Sequence, residues 1–121
     1  MITLVNGDIQ NSAGLFVPNG SISFQLNVDA QVIASPNGFV SGQLVVVFQF
    51  DGDGNLIPPA QLYSNLELNP RTPTGLGTYY LVCCYDANGA RINRVPMWWQ
   101  FQNPANSTVD ISTMTAYLVN V

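Results

Sequence analysis

Apolar residues in this chain recur at every second position and nowhere at helical spacing, and that period most restricts what it can fold into. Ile22, Phe24, Leu26 and Val28 alternate with Ser21, Ser23, Gln25 and Asn27, predicting a strand with one core face and one wet face. Leu44, Val46, Phe48 and Phe50 repeat the pattern, although Val45 and Val47 make the second face partly apolar. Residues 78–86, "TYYLVCCYD", are apolar on both faces and read as a central strand. In residues 91–102, Val95, Met97, Trp99 and Phe101 fall on one side, and Arg94, Pro96, Trp98, Gln100 and Gln102 on the other. Pro96 has no N–H to give to a ladder, so this strand is expected at an edge or to contain a bulge. Shorter strands are expected near 2–9, 31–34, 61–68 and 115–121. The expectation is an all-β chain, a two-sheet sandwich of about seven to eight antiparallel strands.

The turns between these strands share a device. "FDGDG" (50–54) has a near copy in "YDANG" (85–89) and a looser one in "NSAG" (11–14). Each places Asp or Asn, two residues, then Gly. The first side chain accepts backbone N–H groups further on, and the glycine takes the positive φ that closes a type I hairpin loop. Asp51, Asp53 and Asn55 also begin the spacing of a calcium loop, but Leu56 stands where that loop needs glycine and Leu62 where it needs a closing carboxylate. The run is therefore read as a turn, with no metal and no cofactor. Asp51 and Asp53 as an acid–base pair are set aside on the same ground. Glu67, the only glutamate, is expected to lie solvated opposite the apolar face of its strand.

At 121 residues the chain is expected to be one domain, residues 1–121, able to bury a core without staples. Apolar residues make up 47% of it and charged residues only 8%, against a usual share of about 25%. Solubility then rests on Ser, Thr, Asn and Gln, and exposed apolar surface points to a partner. The net charge is −4, with no lysine and with Arg71, Arg91 and Arg94 as the cations, so counterion release cannot drive nucleic-acid binding. The same deficit argues against anionic membranes, and "LVVVF" (44–48) is too short to span a bilayer. No signal-peptide pattern opens the chain, and the acceptor triplet "NST" (106–108) has no secretory signal to support it.

Without histidine there is no catalytic triad, no activated thiol and no ordinary zinc site, so the chain is not read as an enzyme. Cys83 and Cys84 are adjacent and point to opposite faces of a strand, which predicts two free thiols.

Taken together, the opening "NGDIQNSAGLFVPNGSISFQL", the turn "FDGDGNLIPP", and "GTYYLVCCYDANG" leading to "WWQF" resemble the immunoglobulin-like β-sandwich domains of tailed-bacteriophage virion proteins. These include tail-fibre modules and small capsid decoration or appendage proteins. The resemblance covers nearly the whole chain. It implies a structural protein at the virion surface, attached to other capsid or tail proteins and oligomerising with itself, with no catalytic residues. The residues expected at an interface are Trp98, thrown to the outer side of its strand, with Arg94, Pro96 and Gln100 beside it. A second class of function is a carbohydrate-binding module in which exposed aromatics such as Trp98, Tyr63, Tyr79 or Tyr117 stack on a glycan.

Overall fold

The computed structural model describes residues 1–7, 9–10, 12–15, 17–35, 38–72, 75–113 and 117–120. Strand formers at period two give β1 (Ile2–Val5), β2 (Ser21–Leu26), β3 (Ala30–Val32), β4 (Phe39–Val40), β5 (Val45–Gln49), β6 (Gln61–Leu62), β7 (Leu68–Pro70), β8 (Tyr80–Tyr85), β9 (Met97–Trp99) and β10 (Thr108–Asp110). One 3-10 turn, Asn65–Glu67, interrupts them. The chain is thus all-β, with more and shorter strands among the described residues than the alternation predicts.

The strands form three sheets, ordered β10-β1-β6, β5-β2-β8-β9 and β4-β3-β7. β2 is the spine of the largest, pairing antiparallel with β5 along residues 21–25 and with β8 along its whole length. One pairing departs from the expected antiparallel scheme: β1 runs parallel to β10, with Thr3 opposite Thr108.

The three sheets share one apolar core. β1 contributes Ile2 and Leu4, β2 contributes Ile22, Phe24 and Leu26, and β8 contributes Tyr80, Val82 and Cys84. At its centre Phe24, Tyr80, Trp99 and Phe101 meet edge-on or tilted, with ring centroids 5.9–6.2 Å apart, the arrangement that aromatic quadrupoles favour. The Tyr80 hydroxyl donates to the Tyr63 carbonyl at 2.6 Å. Burial, and then the charge of Glu67, raise its pKa well above the ordinary phenol value.

The paired turns are built alike. Asp51 Oδ1 accepts from the N–H groups of Asp53 (2.9 Å) and Asn55 (3.0 Å), and Asp86 Oδ1 from those of Asn88 and Ala90 (both 2.9 Å). Gly54 and Gly89 close them at φ of 80° and 81°. Gly14 of the looser copy has φ 78°, while Asn11 lies outside the described residues.

Four expectations need correction. Val95 is 72% exposed, not in the core. Tyr85 pairs with Arg91 and Val82 with Met97, so the returning arm carries three more residues than β8 between those points; this bulge breaks the alternation before Met97. Leu44 and Val46 are 72% and 40% exposed, because β5 lies at the sheet margin where no second layer covers it. Residues 61–68 do not form one strand, because the 3-10 turn divides β6 from β7. Glu67 is not merely solvated: its Oε2 accepts from the Ser64 N–H at 2.8 Å and its Oε1 from the chain's terminal ammonium at 3.1 Å. Of the expected last strand, residues 114–116 and 121 lie outside the described set, and Leu118 bridges to Trp99.

Candidate interaction surface

The outer face of the large sheet is set by register. Val45, Gln25, Leu81 and Trp98 stand in one row across β5, β2, β8 and β9, and Val47, Ser23 and Cys83 in the next. Period-two alternation sends Phe24, Val82 and Trp99 inward and this set outward. Ser23 and Cys83 are buried all the same, and Ser23 Oγ donates to the Cys83 carbonyl at 3.4 Å. Cys84 lies on the inner side. Burial, and then the neighbouring Cys83, push its thiol up to about 12, so it stays protonated at physiological pH. Both cysteines are free.

Trp98 is half-buried and meets the Tyr79 ring edge-on, centroids 5.5 Å apart at 87°. Together with Gln25, Asn27, Gly42 and Leu81 the two rings line a shallow depression of 220 Å³. Pro96 is half-buried just before β9, and Arg94 is exposed within the bulge. Gln100 is committed to its own chain: its Nε2 donates to the carbonyls of Leu76 (2.9 Å) and Thr78 (3.0 Å), fastening the loop before β8. The four residues expected at an interface therefore do not form one cluster. Trp98 and Pro96 flank the strand's outer side, Gln100 is a loop clamp and Arg94 stands apart.

The backbone edge of β9 is occupied by the chain itself. Val119 N–H donates to the Trp98 carbonyl and Gln100 N–H to the Tyr117 carbonyl, both at 2.9 Å. The opposite margin differs. β5 pairs with β2 alone among the described residues, and Val45 and Val47 are each 51% exposed. Beside it a 310 Å³ groove opens between the sheets, walled by Phe39, Val40, Leu44, Val46 and Tyr63, with Phe24 and Tyr80 beneath. Phe39 is exposed, and the Arg71 guanidinium lies 5.5 Å above its ring. This margin was not singled out from sequence. Its signal was the run Leu44–Val45–Val46–Val47, apolar on both faces and free of charge, which a single-sided strand does not need.

Among the described residues no three His, Cys, Asp or Glu side chains gather as metal ligands. No protein-family model, curated protein or solved structure matches this chain.

Proposed function

We propose that this chain is a structural protein of a bacteriophage particle, an immunoglobulin-like β-sandwich held at the virion surface on the capsid or tail by contacts of its sheets. One observation carries the reading: the four-stranded sheet leaves an uncharged, largely apolar surface, Val45 and Val47 at its margin and Leu81 and Trp98 across its outer face. Apolar surface of this kind on a small chain marks a protein interface, and Trp is among the residues most enriched where binding energy concentrates. The composition supports the same reading, since strand formers with few charges suit a surface that assembles by backbone and aromatic contact.

Quantitative mass spectrometry of purified particles tests it. The expected result is a fixed, multi-copy ratio of this chain to the major capsid or tail protein; a chain absent from particles refutes the proposal. A second reading, a glycan-binding face, is favoured by the depression in which Tyr79 and Trp98 stand beside Gln25 and Asn27, rings next to amide hydrogen-bonding groups. Glycan-array binding that Trp98→Ala abolishes would select it instead.

A further inference from the structure

The large sheet has two margins, and among the described residues only one is closed. At β9 the segment around Tyr117 to Val119 supplies backbone partners, and Pro96 marks the approach. At β5, Phe50 N–H donates to the Gly20 carbonyl, so by antiparallel alternation Phe48 and Val46 also face β2. Val45 and Val47 then turn their N–H and C=O groups away from the sheet. The margin closes again at Gln49, whose carbonyl accepts from the Ile57 N–H at 3.0 Å. Gln43 N–H is taken by Ser41 Oγ at 3.1 Å, so among the described residues it is 44–47 that are left open, and they contain no lysine, proline or glycine, the usual means by which proteins blunt such an edge.

We propose that β5 pairs with β5 of a second copy, antiparallel across a two-fold axis near Val45, joining the two four-stranded sheets into one. The proposal rests on the structural reading above and names the partner of that surface. Three observations select a second copy. First, a two-fold pairing sets the segment against itself. Residues 43–49 carry no charge, so no like charges meet, and Leu44 of one copy comes opposite Val46 of the other, both on the groove side. Second, length fits. In this register the second strand must end before it reaches Ile57, and the chain's own turn at Gly42 and Gln43 ends it there. Third, the seam is apolar on both faces: Leu44, Val45, Val46 and Val47 are all exposed, and each comes beside apolar or uncharged residues of the second copy across the joint.

Sedimentation velocity of the chain from about 1 to about 200 µM tests the pairing, a range that spans ordinary dimer affinities. The expected result is a reversible rise to twice the 13.1 kDa chain mass with no larger species, and Val45 amide exchange slowed at least about tenfold at the upper end. Val47→Pro removes one outward N–H and no bond to β2, and should hold the chain at monomer mass. Val45→Lys/Val47→Lys should do the same, with the melting curve retained, and covers the case in which the proline variant fails to fold. A monomer at every concentration, a dimer that survives the lysine pair, or open-ended growth would each overturn the pairing. A solution monomer still present on particles overturns the pairing alone; a solution dimer missing from particles overturns the structural role alone.

Discussion

Asp51 and Asp86 do the same work at two turns, each oxygen collecting two backbone N–H groups. Asp51→Ala and Asp86→Ala should each cost about 1 kcal/mol in urea unfolding, the net worth of a lost side-chain bond at an exposed site. Gly89→Ala should cost a similar ~1 to 2 kcal/mol. A Cβ there would meet nothing within 4 Å, so the cost is the positive φ alone. EDTA should leave Tm unchanged, because the Asp51 carboxylate is held by its own turn; a fall that calcium reverses would reinstate the metal reading. The Ser112 hydroxyl, then the Ser112 N–H and the Asn6 side chain, hold the Asp110 carboxyl below the ordinary range. A lowered folded value stabilises above the unfolded pKa and is lost as pH falls through the folded one. Asp110→Asn should therefore be less stable than the parent at neutral pH and equal to it in strong acid, as read from Tm against pH. The paired turns were legible in the sequence because Asp-x-x-Gly is a local rule. At Asp110 the Ser112 contacts follow the same local rule, but the Asn6 contact does not, because it needs the segment after β1 to come beside β10.

At the level of elements, the 3-10 turn is held by a residue that no pattern marks. Asn65 is buried. Its Nδ2 donates to Thr78 Oγ1 at 3.0 Å, its Oδ1 accepts from the Phe101 N–H at 2.7 Å, and its own N–H donates to the Phe101 carbonyl. Asn65→Ala would strand the buried Phe101 N–H and take away the donor to Thr78 Oγ1, whose hydroxyl still reaches the residue 65 carbonyl at 3.5 Å, so we expect a loss of about 2 to 3 kcal/mol, while the more exposed Glu67→Ala should cost about 1 kcal/mol through the cap. Equilibrium denaturation of both variants checks the order. The strand position of β2 follows from its alternation and that of β8 from its run apolar on both faces, and the structure has them nearly there. The division of residues 61–68 does not, since Asn65 earns its place through contacts with residues 78 and 101. Nor does the fate of Val95, which was assigned inward by counting from Trp99; a bulge shifts such a count silently.

For the whole molecule, the two tryptophans report on different things. Trp99 is fully buried against Phe24, Phe101 and Tyr117, and its Nε1 has no hydrogen-bond partner among the described residues. Trp99→Ala should cost about 3 to 5 kcal/mol and leave much of the chain unfolded, whereas Trp99→Phe should cost less because it also removes the stranded donor. Trp98→Ala should melt nearly as the parent does and instead weaken particle attachment. The inward and outward tryptophans were legible from alternation. The open margin at β5 was not, because whether a strand is central or marginal depends on which strands arrive beside it. The parallel contact of β1 with β10 carries a further consequence. Thr3 finds Thr108 only once residue 108 has been made, and β1 is the middle strand of its sheet, so that sheet cannot close before then. During synthesis residues 2–5 must wait for residues 108–110 with β6 alone beside them. Contacts so remote in sequence slow the search for the native state, and a ribosome-stalled chain ending before residue 108 should leave Ile2 and Leu4 more open to protease than a chain that extends through residue 121.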